Sequence, residues 1–151
     1  MARADSVTSP RGNAASLGDR LVATRKLTLD LGADLATPGE DFGPSEMTLR
    51  VIQPQIDRLE REIDGMNEGL EPLRSFILPG GEAGSAQLHL ARSIVRRAER
   101  AAVGAARERR LNPLALIYLN RLSDHLFVAA RHVAKERGGD ILWQPGATRG
   151  E

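Results

Sequence analysis

Apolar residues recur every three or four positions in four stretches of this chain, which is the spacing of an amphipathic α-helix. The three clearest stretches predict helices over residues 13–36, 85–110 and 113–136. No stretch alternates apolar and polar residues over the length of a strand, and no segment repeats along the chain. The pattern therefore predicts an all-α protein.

The remaining apolar stretch is interrupted by Pro54, which restricts where its helix can start. One interpretation is a helix that starts near Ser45 or Thr48 and kinks at the proline. The other is a regular helix that begins only at Gln53. A clearer start signal stands at residues 112–113, where an asparagine that can cap a helix precedes a proline suited to its first position.

The predicted helices form one bundle over residues 13–145, between a polar N-terminal tail of residues 1–12 and a C-terminal tail of residues 146–151. A length of 151 residues suits a single domain, and 41% apolar residues can supply its core. Aromatic residues are only 3% of the chain, so aliphatic side chains must fill that core. We expect an up-and-down bundle of about four long helices, with a long loop at 70–84 and a solvated charged segment at 58–62.

The net charge of +1 gives no overall field that would attract nucleic acid or a membrane surface. The chain has no cysteine, and no apolar run approaches the roughly 20 residues of a membrane span. No signal peptide opens the sequence, so we expect a cytoplasmic protein. The histidines are expected to be surface or packing residues rather than metal ligands: His89, His125 and His132.

The nine residues that begin at Arg92 contain four arginines and one glutamate. Arg92, Arg96 and either Glu99 or Arg100 are three or four positions apart, so they share one face of the third predicted helix, and His89 extends that face by one turn. Such a row of guanidinium groups suits a polyanion, and a triphosphate is the first candidate. The opposite face is predicted to be core: Leu90, Ala91, Ile94, Val95, Ala98 and Ala102.

A second polar row lies on the last predicted helix, at Asn120, Asp124, Phe127 and Arg131. An asparagine amide can both donate to and accept from a purine edge or a ribose hydroxyl. The Asp124 carboxylate could hold an arginine of the neighbouring helix in position. The alternative is a solvated helix face that is tied to the preceding helix and binds nothing.

Several motifs, taken in their order along the chain, resemble the PduO-type ATP:cob(I)alamin adenosyltransferases. The resemblance covers roughly residues 27–145 and rests on a long, ordered set of segments: Asp30–Pro38, Phe76–Gly81, Leu88–Arg92, Arg96–Arg100, Asn112–Pro113, Tyr118–Phe127 and Leu142–Pro145. It implies a ferritin-like helix bundle that assembles into a homotrimer, with active sites between adjacent subunits.

The activity that the resemblance implies is transfer of the 5′-deoxyadenosyl group of ATP to the cobalt of cob(I)alamin, with release of triphosphate. ATP with Mg²⁺ and cob(I)alamin are the implied ligands. Because cob(I)alamin is itself a strong nucleophile, no general base is needed. The protein must place C5′ in line with the cobalt and stabilise charge on the leaving triphosphate.

The resemblance assigns catalytic roles to Arg92, Arg96 and Phe76. Arg96 matches the arginine that grips the phosphates, and Arg92 matches one that forms an ion pair in the active site. Phe76 matches the aromatic residue that packs below the corrin ring and excludes the lower axial ligand of cobalt. The nucleotide or corrinoid is bound by a wider set: Phe76, Arg96, Glu99, Arg100, Asn120 and Asp124.

The family also has an N-terminal phosphate-binding loop and a first helix, and we expect this chain to lack both. ATP affinity should then be reduced, and the usual carboxylate partner of Arg92 should be missing. The alternative function is therefore a non-catalytic relative that binds ATP or cobalamin as a carrier or sensor. A nucleic-acid-binding bundle is a third hypothesis, disfavoured because the few aromatic residues do not alternate with the basic ones.

Overall fold

The computed structural model describes residues 16–150, which form four α-helices. They are α1 (Leu17–Leu35), α2 (Gln53–Asn67), α3 (Ala83–Ala105) and α4 (Pro113–Lys135). Within this part of the chain, β-pairing is confined to two isolated bridges. The predicted all-α bundle is confirmed, whereas the predicted tail of residues 1–12 and the predicted helix start at residues 13–15 lie outside the described residues.

Helix α1 begins at Leu17 because Ser16 and Asp19 form a capping box around its first turn. The Asp19 backbone N–H donates to Ser16 Oγ over 3.2 Å, and the Ser16 backbone N–H donates to Asp19 Oδ2 over 3.1 Å. The start of α4 matches its prediction, since the Leu114 N–H donates to Asn112 Oδ1 over 3.0 Å. These caps satisfy amide donors that have no partner inside the helix.

Pro54 lies in the first turn of α2, where a missing N–H does no harm. The helix therefore begins at Gln53, and the interpretation with a kinked helix from Ser45 or Thr48 is wrong. Those two residues instead form an isolated bridge in the preceding loop.

Helix α3 starts two residues earlier than predicted, because the Glu82 carboxylate accepts the Ser85 N–H over 3.1 Å. It also ends at Ala105, well before the predicted Arg110. Beyond that point the backbone N–H groups of Arg107 and Glu108 bond to carbonyls three residues back, which is a tighter turn than the α-helix.

Helix α4 is the centre of the bundle and is the only described helix that packs against each of the other three at several positions. Its spacing predicts a core stripe of Leu119, Leu122, Leu126, Ala130 and Val133. The first four are buried, and Val133 is half-buried. Burial of this length of apolar surface is the main favourable term in forming the bundle. The other helices and the residue Val51 before α2 contribute a small number of buried residues to the same core: Leu31, Val51, Ile56, Leu59 and Ala102.

The predicted core face of α3 is partly wrong. Leu90 and Ile94 are 63% and 52% exposed and Ala98 is also exposed, whereas His89, assigned to the polar row, is buried. The residues of α3 that face the core are Leu88, Ala91, Val95 and Ala102. Apolar residues occupy two adjacent stripes of this helix, and only the stripe that meets α4 is covered in the single chain.

A buried polar cluster joins the end of α1 to the starts of α2 and α4. The Asp34 side chain has no exposed surface, and its Oδ1 accepts from Arg50 Nη1 over 2.8 Å. Its Oδ2 accepts from the Val51 N–H over 2.7 Å and from Asn112 Nδ2 over 2.6 Å. The carboxylate thus fixes three distant segments, and each partner is a donor that burial would otherwise leave unsatisfied.

The charged segment 58–62 was predicted to be a solvated face, which holds for the exposed Glu60 and Arg61 but is wrong for Arg58 and Glu62. Arg58 is half-buried, pairs with Glu62 over 3.0 Å and donates to Thr24 Oγ1 on α1 over 3.0 Å. Glu62 also contacts Nε2 of the fully buried His125 over 2.7 Å. Burial lowers the pKa of His125, with Glu62 opposing the shift, so this histidine packs as predicted.

None of the four described helices combines the length and the apolar character that crossing a bilayer requires.

Candidate functional site

The two predicted polar rows meet along the seam between α3 and α4. The guanidinium carbon of Arg92 lies 5.0 Å from the centre of the Phe127 ring, a cation–π arrangement. His89 makes an edge contact with the same ring at 6.2 Å. Phe127 of α4 therefore helps to position the arginine row. Its spacing of three or four residues from its neighbours had predicted that it belongs to the polar row of α4.

Glu99, about two helical turns beyond Arg92, also connects the two helices. It accepts from Arg96 Nη1 over 2.5 Å and from Asn120 Nδ2 over 3.0 Å. The pairs Glu99–Asn120 and Arg92–Phe127 each have residue numbers that sum to the same value, as expected for antiparallel helices in one continuous register. The seam therefore brings together five of the residues singled out in the sequence, Arg92, Arg96, Glu99, Asn120 and Phe127.

Asp124 does not hold an arginine of the neighbouring helix, so that prediction is wrong. Its carboxylate pairs with Arg121 of the same helix over 3.3 Å, on the side of α4 that faces Glu60 and α2. The α3 arginine row is instead met by the carboxylate of Glu99, which belongs to α3 itself. The spacing of four residues from Asn120 predicts that Asp124 lies on the polar row of α4. It does not predict which neighbouring residue the carboxylate contacts.

Beyond Arg96 the row opens into a shallow groove of about 330 Å³. Arg100 and Arg107 line it, and neither forms an ion pair within residues 16–150. Gly104 leaves open space between them, since a Cβ there would meet no heavy atom within 4 Å. Arg107 was missed in the sequence analysis, although it lay inside the predicted helix 85–110 and its spacing of seven from Arg100 fits the same row.

Histidine 89 completes the inner end of the row. It is 5% exposed, and its ring lies between the seam and the core. Burial, together with the positive charge of Arg92, lowers its pKa, while Asp140 opposes the shift. His89 therefore adds no charge to the row at neutral pH, and the cationic face consists of arginines alone.

Phe76 is presented on a separate clip of two extended segments, 75–78 and 141–143. The Trp143 N–H donates to the Phe76 carbonyl and the Leu78 N–H to the Ile141 carbonyl, each over 2.8 Å. The Phe76 ring is 77% exposed and touches the Trp143 ring edge-on at 6.0 Å. Such an exposed aromatic ring on a hydrogen-bonded clip offers a flat apolar surface to a ligand. Residues 141–143 therefore pack on the segment around Phe76 rather than in the core.

An all-α bundle that carries an arginine row beside an exposed aromatic clip is a helical protein equipped for an anionic ligand and a flat apolar one. The comparisons with known proteins agree with that description. A sequence model of the cobalamin adenosyltransferase family matches residues 1–133. The match begins at residue 1, whereas the resemblance found in the motifs began at residue 27. The chain therefore belongs to the cobalamin adenosyltransferase family.

Curated relatives carry the same family name. The corrinoid adenosyltransferase of Mycobacterium tuberculosis is 49% identical over 122 residues, which are 80% of this chain and 62% of the relative. That of Mycobacterium leprae is 43% identical over 153 residues, covering 94% of this chain and 79% of the relative. The chain thus spans about three fifths of the length of the first of these relatives.

Solved structures show the same fold. A variant PduO-type adenosyltransferase from Lactobacillus reuteri, complexed with ATP, matches with a TM-score of 0.75 and 37% identity. That match covers 85% of this chain and 71% of the other. A second variant from the same organism, complexed with cobalamin and ATP, matches with a TM-score of 0.70 and 36% identity over 87% of this chain and 75% of the other.

Proposed function

We propose that this protein is a corrinoid adenosyltransferase, which moves the 5′-deoxyadenosyl group of ATP to the cobalt of cob(I)alamin. The cobalt donates its electron pair to C5′, the bond between C5′ and its oxygen breaks, and triphosphate leaves with that electron pair. The observation that carries the proposal is the α3–α4 seam, where arginines with donors still available lie beside a fixed amide and a ring. The family membership supports it.

The arginine row would bind the triphosphate. Arg96 is 43% exposed on its side chain and makes one contact to Glu99, so most of its donors remain available. Arg100 is exposed and unpaired within the described part of the chain. Guanidinium groups on one face stabilise the charge that develops on the leaving oxygen without having to reorient during the reaction.

The nucleoside would be held at Asn120, whose amide is already aligned. Glu99 accepts one Nδ2 proton, and Oδ1 accepts a long 3.3 Å contact from Arg121. The second Nδ2 proton and the remaining lone pair of Oδ1 can meet an adenine edge or a ribose hydroxyl. In this arrangement Glu99 positions Asn120 and Asp124 positions Arg121, so both carboxylates act on the ligand indirectly.

Phe76 would lie against the corrin ring. An apolar ring offers cobalt no lone pair, so it would keep that axial position empty and favour the reduced metal. The clip supports this role because its hydrogen bonds fix the backbone on both sides of the ring. Mg²⁺ would arrive on the triphosphate, since residues 16–150 contain no group of three acidic, histidine or cysteine side chains placed to hold it.

A homotrimer with sites between subunits is part of the proposal. The Arg92 Nε is buried and has no acceptor among the described residues, so a ligand or a neighbouring subunit would supply one. The exposed stripe that includes Leu90 and Ile94 gives α3 an apolar face for such a neighbour. Sedimentation equilibrium should show a trimer that Leu90→Asp dissociates, and a monomeric wild type would contradict this assembly. A cytoplasmic location remains a prediction from the sequence.

The test is an anaerobic assay of the 151-residue chain with ATP, Mg²⁺ and chemically reduced cobalamin. Adenosylcobalamin and triphosphate should appear in equal amounts, as the balanced reaction requires. Calorimetric titration with ATP and with cobalamin should run in parallel. Binding of both ligands without product would contradict the enzyme and favour a carrier or sensor, and failure of both to bind would contradict either function.

A further inference from the structure

The groove of about 330 Å³ continues the arginine row past Arg100 and ends at Arg107, to which the proposed function assigns no role. Its volume is within the roughly 300–1,000 Å³ that is typical of small-molecule sites. Its lining residues follow one face of α3 and of the turn after it: Arg96, Glu99, Arg100, Val103, Gly104 and Arg107. Their spacings of three and four residues give a single row, so the groove leads from Arg96 towards Arg107.

The far end of the groove holds the positive charge that the site leaves uncompensated. Three guanidinium groups and one carboxylate line the groove, which gives a formal charge of +2. Glu99 is already bonded to Arg96 over 2.5 Å, so the two remaining charges belong to Arg100 and Arg107. Both side chains are exposed, and neither forms an ion pair within residues 16–150. Two open guanidinium groups suit a terminal phosphate, which carries close to two negative charges.

Gly104 keeps the space between these two arginines open. A Cβ at this position would meet no heavy atom within 4 Å, so packing against the rest of the protein does not require a glycine. Glycine also favours the helix less than alanine does. A larger side chain at this position would project into the groove that Gly104 lines, so the glycine lets a ligand reach both guanidinium groups.

The turn that carries Arg107 is fixed to the bundle. The Arg107 N–H donates to the Gly104 carbonyl over 3.2 Å, which closes the turn at the end of α3. The Gly39 N–H donates to the Arg110 carbonyl over 3.1 Å, which ties the same connection to the loop after α1. Arg107 lines the groove, whereas the exposed Arg109 of the same turn does not. The position of Arg107 is therefore set by backbone contacts on both sides of it.

We propose that Arg107, together with Arg100, binds the terminal phosphate of the nucleotide and so selects triphosphates over diphosphates. The inference rests on the proposed function, in which Arg96 stabilises the oxygen that leaves C5′. A triphosphate extends one phosphate further along the groove than a diphosphate, so only its last phosphate reaches Arg107. The oxygens of that phosphate accept charge-assisted hydrogen bonds from both guanidinium groups.

The experiment compares ligands that differ by one phosphate, by calorimetric titration of the whole chain at a fixed ionic strength. ATP should bind about thirtyfold more tightly than ADP, because charge-assisted hydrogen bonds to two guanidinium groups are added. Inorganic tripolyphosphate should likewise bind more tightly than pyrophosphate. The inorganic pair tests the groove without the nucleoside.

Replacing single arginines locates the effect. Arg107→Ala should lower the ratio of the ATP and ADP affinities to about threefold, by weakening ATP and leaving ADP unchanged. The matched control is Arg109→Ala, which removes an exposed arginine of the same turn outside the groove and should keep the wild-type ratio. A general loss of positive charge would affect both variants alike, whereas loss of a contact to the terminal phosphate affects only the first.

A second pair of variants tests the groove by filling it. Gly104→Leu should bring the affinity for ATP down to about that for ADP, and leucine favours the helix more than glycine does. Gly65→Leu on α2 is the control, because a Cβ there also meets no heavy atom within 4 Å and Gly65 lies outside the groove. Circular dichroism of both variants should show that the helix content is not reduced.

The outcomes separate this inference from the proposed function. Equal affinity of the wild type for ATP and ADP, or a ratio that Arg107→Ala leaves unchanged, overturns the role of Arg107 and leaves the adenosyltransferase untouched. An equal fall in Arg107→Ala and Arg109→Ala overturns it as well. Absence of ATP binding counts against the proposed function, and the inorganic ligands then decide the groove alone. A preference for tripolyphosphate that Arg107→Ala removes supports the inference, and equal affinity for the two inorganic ligands overturns it.

Discussion

Arginines serve opposite purposes in two regions of this protein, the buried cluster around Asp34 and the seam between α3 and α4. Arg50 is 5% exposed on its side chain and gives Nη1 and Nη2 to four oxygens, two of them on Asp34. Arg96 is 43% exposed and has one partner, and Arg100 has none in the described region. Most guanidinium donors of Arg50 in the buried cluster are bonded, whereas most donors of Arg96 and Arg100 at the seam are available.

This contrast teaches where to look for a ligand. A buried guanidinium with most of its donors bonded, such as that of Arg50, fixes the fold, and removing one of its partners leaves a buried charge uncompensated. A guanidinium with open donors adds little to stability, because exposed ion pairs contribute about 0–1 kcal/mol. The following predictions separate these two roles by measuring unfolding and ligand binding on the same variants.

The largest effect should come from Asp34→Ala. Removing this carboxylate leaves Arg50 without its counter-charge and also takes the acceptor from the Val51 N–H and from Asn112. We expect a loss of about 3–5 kcal/mol in the free energy of unfolding, measured in urea. Glu40→Ala is the control, since it breaks an exposed pair with Arg110 and should change stability by less than about 1 kcal/mol. Equal losses in the two variants would contradict the distinction.

Arg96→Ala should reverse that pattern. Turnover should fall by about 10²–10³-fold, because the variant removes a donor that stabilises charge on the leaving triphosphate. The free energy of unfolding should stay within about 0.5 kcal/mol of wild type, as for most surface changes. Arg97→Ala is the matched control, since this exposed neighbour has no partner in residues 16–150 and lies off the seam. Full activity in Arg96→Ala would overturn the assignment of the row.

Asn120→Ala should have a smaller effect on the same seam. The variant removes the donor that Glu99 accepts and the amide proposed to meet the nucleoside. We expect ATP affinity to fall about tenfold, since one hydrogen bond contributes roughly 0.5–1.5 kcal/mol and loss of the Glu99 contact adds to it. Calorimetric titration with ATP measures the change. An unchanged dissociation constant would remove Asn120 from the binding site.

The smallest effect is a pH dependence that arises in the core. Burial, with a smaller contribution from Arg58 and Arg20, lowers the pKa of His125 below its ordinary value of 6.5, against the pull of Glu62. Below about pH 6.5 this histidine is protonated in the unfolded chain but stays neutral in the folded chain. The free energy of unfolding should therefore fall as the pH drops below about 6.5. Urea unfolding between pH 7.5 and pH 5 should show this slope, and His125→Gln should reduce it, with His89, whose pKa is also lowered, contributing the remainder. Identical slopes would exclude His125 as the cause.

Much of the local structure was predictable because its causes are local. The Asn112–Pro113 start of α4 depends on a side chain and a ring within one turn of the helix, and the predicted leucine stripe of α4 depends on a spacing. The orientation of α3 was not predictable, because Leu90 and Ile94 are as apolar as the residues that do face the core. Asp124 pairs with Arg121, and Arg121 in turn pairs with Glu60 of α2, a residue from another part of the chain.

The sequence by itself determined the helical class, the caps and the single face on which Arg92, Arg96 and Glu99 lie, because these depend on residues within about one turn of each other. It also carried the motifs of the family. Only the tertiary structure decided that Glu99 meets Asn120 and that Asp34 meets both Arg50 and Asn112. Those contacts join residues up to 78 positions apart, and their existence depends on how the helices pack.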